Sequence, residues 1–319
     1  MNPVASIIII TRNRAEHLRE TLESLRSMVI PADLPTELLV VDNGSTDTTA
    51  QVVENVRHSS PFSVQYHHEP RPGKSNACNI AIAKAEGSVL LWTDDDVRVP
   101  MDWVARLTAP ILSGNADGVG APVRLAKHLE RSWMTRTHYD RLADDRFAAE
   151  PAMIGANKAY HRRILDRIDG YDPEIGPGAL GTWDDGLFFY KFKIGGYTVG
   201  HVPEAGIEHH FEPSRLLRKA WLRSGVIGGE SLAYIDYHWA HEPFARARFE
   251  WARWKAMLRL FRMVKPPPRD ENTEGCHRVE IRMVDKIAYY GYAVEHCFGK
   301  PRNYEKNGLV KQVNPFRAL

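Results

Sequence analysis

Apolar positions along the first two-thirds of the chain switch between two rhythms. Val4–Ile10, ending in four consecutive isoleucines, has the continuous apolar pattern of a strand buried on both faces. Ala15–Met28 places Leu18, Leu22 and Leu25 at helical spacing. The alternation continues with strands at Glu37–Val41, Phe62–Tyr66 and Ser88–Thr93, and helices at Ser45–Arg57, Lys74–Ala85 and Pro100–Leu112. Strand and helix joined by short connections predict an α/β fold, Rossmann-like, with a mostly parallel sheet flanked by helices. Ligands of such sheets bind beyond the carboxyl ends of the strands.

Between about 115 and 150 the pattern weakens. Asp117–Leu125 is read as a strand, and the polar Glu130–Phe147 as a helix or long connection. Met153–Tyr160, a helix at Arg162–Ile168, a turn at Gly170–Pro173 and a glycine-rich stretch lead to Trp183-Asp184-Asp185. A helix at Gly186–Ile194 ends at Gly195-Gly196, the expected residue type for a helix end. Tyr197–Val202 and Ala205–His210 close this part, giving a catalytic unit over 1–214. Residues 215–319 are helical. Phe244, Ala247, Trp251, Trp254, Leu258 and Phe261 recur at three and four, Pro266-Pro267-Pro268 ends that helix, and a last helix spans about Val279–Phe298.

The strand ends carry the chemistry. Thr11-Arg12-Asn13-Arg14 follows the first strand, Asp42-Asn43-Gly44-Ser45 the second and Glu69 to Lys74 the third. Leu90-Leu91-Trp92-Thr93 runs straight into Asp94-Asp95-Asp96. Adjacent carboxylates repel unless a divalent cation sits among them, and Mg²⁺ or Mn²⁺ on oxygen ligands is the usual companion of a diphosphate. In an extended strand end Asp94 and Asp96 share a side and Asp95 takes the other. Helix-start chemistry before Pro100 would need only one of the three. No GxGxxG follows the first strand and no GxxxxGK[ST] occurs, which argues against a dinucleotide dehydrogenase and a P-loop NTPase.

Composition adds less. With 319 residues, 43% hydrophobic and 26% charged, the chain is an ordinary globular protein. No apolar run reaches the ~18 residues of a membrane span, and no secretion signal precedes the first strand. Three widely spaced cysteines, Cys78, Cys276 and Cys297, fit a reducing cytoplasm rather than a disulfide framework or zinc site. The net charge of +2 hides an asymmetry: residues 1–214 hold 22 Lys+Arg against 29 Asp+Glu, and the remainder 20 against 11. A modest basic content beside an acidic unit excludes nucleic acid as a partner.

The ordered motifs resemble family 2 glycosyltransferases of the GT-A fold. They are Ile7–Arg14, Val40–Asp47, Gly73–Asn79, Thr93–Asp96, Gly155-Ala156-Asn157 with Arg162-Arg163, Trp183-Asp184-Asp185 and His209. The resemblance covers about 4 to 215 and implies an inverting enzyme that uses a nucleotide-sugar donor, UDP-linked by default. It matches Asp42 to a base-binding carboxylate with Thr11 beside it, and Asn13 and Arg14, in the same loop as Thr11, would also bind the donor nucleotide. An Asx turn at Asp42 and a strand-end hydroxyl at Thr11 are the structural alternatives. Lys74 matches a base or phosphate contact, or is a solvated lysine. Asp94 would face the ribose, Asp96 the metal, and Asp95 would assist either.

The same resemblance gives His209 as the third metal ligand, with His210 as its rival. Asp185 matches the general base, and Asp184 beside it would raise its pKa by like-charge repulsion. Either could instead cap the following helix. Gly155, Ala156 and Asn157 would line the sugar and acceptor side, and Trp183 would be a sugar platform or a core residue. The acceptor expected is a glycan or lipid-linked glycan. The helices after 214 lie beyond the resemblance. Residues 244–265 either pack their aromatics inward or contact a membrane surface, and Gly225–Gly229 and Tyr234–Trp239 border the acceptor or a homo-oligomer contact. A sugar-1-phosphate nucleotidylyltransferase and a non-catalytic nucleotide-sugar-binding relative are the competing functions.

Overall fold

The computed structural model describes residues 3–146, 153, 155–270 and 272–312. The first half alternates as the periodicity predicts: β1 (Ala5–Thr11), α1 (Ala15–Arg26), β2 (Thr36–Asp42), α2 (Thr49–Arg57), β3 (Ser63–His68), α3 (Lys74–Lys84) and β4 (Val89–Thr93). Then come β5 (Val97–Arg98), α4 (Trp103–Leu112), β6 (Gly118–Gly120), β7 (Val123–Leu125), α5 (Arg136–Arg141) and β8 (Asn157–His161). After these come α6 (Asp184–Ile194), β9 (Val199–His201), β10 (Ile207–His209), α7 (Arg218–His238), α8 (Ala247–Val264) and α9 (Arg278–Tyr292).

Among the described residues the main sheet runs β3-β2-β1-β4-β8-β6-β9. Strands β3, β2, β1 and β4 are parallel, β8 is antiparallel to both β4 and β6, and β9 is parallel to β6. A small sheet, β5-β10-β7, stands beside the acidic end of β4. One apolar layer packs Ile7, Ile9, Leu38 and Leu91 with Leu18, Leu22 and Leu25 of α1 and Trp103 of α4. The other packs Ile8, Leu39 and Leu90 with Ala77 and Ala81 of α3 and Phe188 of α6. Burial on both faces is why the strands read as continuous apolar runs.

Several boundaries differ from the sequence pattern, each for a local reason. α2 begins at Thr49 rather than Ser45, because Asp47 binds the Thr49 backbone and hydroxyl and also Ala15 N, holding a turn open. Residues 117–125 form two strands in different sheets, broken at Ala121-Pro122; proline has no N–H for the ladder. Within 130–147 only Arg136–Arg141 is α-helical, and Phe147 lies outside the described residues. The helix expected at Arg162–Ile168 is a 3₁₀ turn over Arg162–Asp166. Helix α6 starts at Asp184 rather than Gly186.

The C-terminal helices share apolar clusters with the sheet unit. Leu216, Trp221 and Ile281 pack with Leu125, Leu129, Leu142 and Phe211. Tyr234, Ile235, Trp239 and Tyr304 pack with Ile175 and Leu187. Among the described residues no helix is long and apolar enough to cross a membrane.

Candidate active site

β4 sits at the centre of the sheet and delivers its three aspartates beyond the carboxyl end. Asp95 turns to the protein. Its carboxylate accepts Thr11 Oγ1 at 2.7 Å and Arg14 Nη1 at 2.6 Å, and Thr21 Oγ1 holds its carbonyl at 2.8 Å. Arg14 Nη2 reaches on to Asp96 Oδ2 at 2.7 Å, so one guanidinium bridges two of the three carboxylates. Burial pushes the Asp95 carboxyl up to about 6 against the attraction of Arg14. Burial would raise Asp96 too, but His209, Arg14 and Arg215 outweigh it and hold that carboxyl well below its usual range. Thr11 and Arg14 therefore shape the acidic tip.

Asp94, Asp96 and His209 each turn one ligand atom toward a common point, all within 4.8 Å of one another. His209 Nδ1 lies 3.2 Å from the Leu142 carbonyl, to which it donates, and this contact fixes the orientation of the ring. Its Nε2 faces buried Asp96 Oδ1 at 3.1 Å. A carboxylate oxygen and an imidazole nitrogen this close, with Asp94 beside them, are a donor set that could hold a divalent cation. His210, the residue just past β10, points to Glu208 at 3.2 Å and to the His128 ring, away from this point.

The remaining expected donor residues divide by how their polar atoms are engaged. Asp42 accepts Ser45 N and Tyr66 Oη, each at 2.7 Å, so its turn role is realised in full. Asn13, at φ 52°, accepts Thr46 N at 2.7 Å and ties the loop after β1 to the loop after β2. Lys74 opens α3 and reaches Asp94 Oδ1 at 3.1 Å. Burial opposes its charge, but Asp94, Asp185 and Asp184 together hold it protonated, well above the ordinary value. Asn157 is fully buried and its amide binds Trp103 Nε1, the Pro122 carbonyl and the Ala205 carbonyl, so its side chain braces β8 and turns no free group to a ligand.

The second carboxylate pair opens α6. Trp183, with φ 71°, is the residue before the helix, and Asp184 and Asp185 are its first two residues. Neither aspartate is the cap; both sit where the helix dipole favours a negative charge. The Trp183 ring lies over Gly186, where any Cβ would collide with it, and stacks on Tyr190, which stacks on Trp239. Gly155 backs onto Asp185, and a Cβ there would overlap the carboxylate. Ala156 is buried, with its carbonyl bound by Thr93 Oγ1.

Two cations escaped the sequence reading. Lys158, in β8, is buried and pairs with Asp185 Oδ1, with the Tyr171, Phe188 and Trp92 rings 5.2, 5.6 and 5.9 Å from its Nζ. A lysine next to Asn157, inside a strand whose other positions are also buried or nearly so, is the available signal. Because Lys158 sits on Asp185, the like-charge effect expected there falls on its neighbour. Burial, then Asp185, push Asp184 up to about 6, and among the described residues its Oδ2 has no hydrogen-bond partner. Burial would also raise Asp185, but Lys158 and Lys74 hold it below the ordinary value. Arg215 is the other cation. Its guanidinium lies 4.7 Å over the Phe211 ring, within the field of Asp96 and Asp94, and among the described residues it forms no ion pair.

The fold is that of the GT-A glycosyltransferases. The description "Glycosyl transferase family 2" matches residues 6–169, and the chain belongs to this family of glycosyltransferases. Succinoglycan biosynthesis protein ExoM of Rhizobium meliloti is 29% identical over 228 residues, 69% of this chain and 72% of that protein. An N-acetylglucosaminyltransferase of Azorhizobium caulinodans is 25% identical over 69% of this chain, which spans 51% of that longer protein. Among solved structures, mannosyltransferase PcManGT of Pyrobaculum calidifontis in complex with GDP-Man and Mn²⁺ superposes at TM-score 0.53. Its identity is 20%, over 91% of this chain and 70% of that one. S. aureus TarS 1-349 in complex with UDP gives 0.51 at 17% identity, over 94% and 93%.

Proposed function

We propose that this chain is an inverting transferase that moves a sugar from a nucleoside-diphosphate sugar, UDP-linked, to a hydroxyl of a glycan or lipid-linked glycan. The observation that carries the reading is Lys74. It touches Asp94 of the acidic tip and lies in the field of Asp185, so the two carboxylate groups share one pocket. Asp94, Asp96 and His209 would hold Mn²⁺ or Mg²⁺, which supplies charge neutralisation for a diphosphate when bound. PcManGT, solved with Mn²⁺, supports that choice of ion.

The chain's own residues do the rest. Arg215 and Lys74 offer positive charge to the leaving diphosphate. Asp185, ionised at neutral pH, accepts the proton of the acceptor hydroxyl as its oxygen attacks the anomeric carbon. The bond from that carbon to the β-phosphate oxygen breaks in the same displacement, and the nucleoside diphosphate leaves with the electron pair. Attack opposite the leaving group inverts the anomeric centre. Trp183, with Tyr190 alongside, offers a ring face to a sugar.

A panel of nucleotide sugars assayed for slow Mn²⁺-dependent hydrolysis tests the donor assignment, and Asp185→Asn tests the base. The variant should bind UDP normally and lose transfer by ~10²-fold or more. Near-normal turnover would remove Asp185 as base, and pyrophosphate release from a nucleoside triphosphate would favour a nucleotidylyltransferase.

A further inference from the structure

Helix α8 is apolar on two opposite faces. One packs inward: Trp251 and Leu258 line a groove with Val284, Ile287 and Gly291 of α9, and the Phe261 ring lies 5.3 Å from that of His277. The other face is in solvent. Phe249 is 66% exposed, Leu260 62%, Met263 78% and Val264 81%, while only Ala247 of the whole helix is buried. Phe249, Ala252, Ala256, Leu260 and Met263 follow one another by three and four residues, so they form a single stripe. A continuous apolar stripe on a polar exterior marks an interaction surface, where scattered exposed residues would not.

Charge identifies the occupant. Between residues 246 and 269 stand Arg246, Arg248, Arg253, Lys255, Arg259, Arg262, Lys265 and Arg269 against one acid, Glu250. Glu250 turns inward and pairs with Arg253, and Arg262 pairs with Glu280 of α9. Arg248, Lys255 and Arg259 recur by seven and four, along one edge of the apolar stripe. A second copy of this chain would bring the same cations together face to face. An anionic bilayer takes the stripe into its acyl boundary and the flanking cations onto its phosphates. The cations also keep the helix in the interface, and it meets no criterion for a span.

We infer that α8 docks this protein flat on an anionic lipid surface through Phe249, Leu260 and Met263, with Arg248, Lys255 and Arg259 on the headgroups. The inference is independent of the transfer chemistry, since none of these residues belongs to the active site. Co-sedimentation of the full chain with phosphatidylcholine vesicles, with and without phosphatidylglycerol, tests it. Binding should need phosphatidylglycerol and weaken with salt. Leu260→Glu with Met263→Glu should reduce it more than about tenfold. Arg248→Gln and Arg259→Gln should each weaken it about fivefold on anionic vesicles. All variants should unfold at the wild-type temperature and keep wild-type donor hydrolysis, because the changed side chains are in solvent. Binding that ignores either phosphatidylglycerol or these substitutions would overturn the inference. So would a dimer, seen by light scattering, that Leu260→Glu dissolves.

Discussion

Buried Lys158 forms an ion pair with Asp185, the part-exposed carboxylate proposed as the base. The lysine comes from the strand that pairs with β4, and the aspartate from the first turn of α6, so the pair joins sheet to helix. Its surroundings are aromatic, which limits the ways the ammonium can be satisfied. A lysine there lowers the basicity of Asp185 and fixes where its second oxygen points.

Replacing Lys158 by Met should therefore change the pH profile as well as the rate. Without the cation the Asp185 carboxyl rises from its depressed value. The acid limb of kcat/KM should shift to higher pH and kcat should fall by about tenfold or more. The part-exposed carboxylate left unpaired costs less than the ~3 kcal/mol of a fully buried one. A variant with lower activity but an unmoved acid limb would show that the lysine only packs.

Asp184 predicts a stability effect with a definite sign. Its folded carboxyl is pushed up to about 6 from 3.8. The fold thus favours the protonated form, and that contribution is complete below the unfolded value and lost as pH rises through the folded one. Asp184→Asn is neutral throughout. Its stability relative to wild type should increase between about pH 4 and pH 7, by an amount of the order of 3 kcal/mol. Urea unfolding at a series of pH values measures this. A constant difference across the range would mean that Asp184 is ionised in the fold at low pH.

The acidic tip predicts a metal requirement. Asp96→Ala and His209→Ala should each weaken Mn²⁺-dependent UDP binding by about 10- to 100-fold or more, and a chelator should do the same to the wild type. His210→Ala should leave binding unchanged, since that ring faces Glu208. Calorimetry of UDP with and without Mn²⁺ separates the cases. Equal affinity in all of them would remove the metal from the site.

Legibility in the sequence followed the range of the interactions. The β1 run, the Leu18-Leu22-Leu25 stripe and the apolar run that leads into Asp94 are local patterns, and the structure forms two strands and a helix from them close to their expected bounds, with the aspartates just past β4. His209 could be separated from His210 only by the alternation of a three-residue strand, β10. Asn157 looked like a ligand-facing residue because its partners, Trp103 and Ala205, come from distant segments. The Lys158–Asp185 pair spans 27 positions and depends on how β8 and α6 meet, which no local period encodes. Trp251 and the exposed stripe of α8 posed a choice between inward packing and an outward surface. The helix presents apolar side chains on both sides.

The charge asymmetry about residue 214 suggests two separable parts, yet the packing crosses that point. Leu216 and Trp221 fill the cluster behind β7, and Tyr234, Ile235 and Tyr304 close over Ile175 and Leu187. Lys311 pairs with buried Asp172 at 2.6 Å, and the Tyr234 and Tyr304 hydroxyls donate to the same carboxylate at 2.8 and 2.7 Å. Ser231 accepts the Thr182 N–H at 2.9 Å, one residue before Trp183. A fragment ending at 214 would expose these apolar faces and leave Asp172 without its cation. Removing even two such large buried side chains costs ~6 kcal/mol or more, comparable with the whole stability of a typical domain. The fragment should therefore lack a cooperative thermal transition and fail to bind UDP, while the full chain shows both. A fragment that unfolds cooperatively and binds UDP like the full chain would show that the sheet unit stands alone and that the segment leading to Asp185 is set without help from α7.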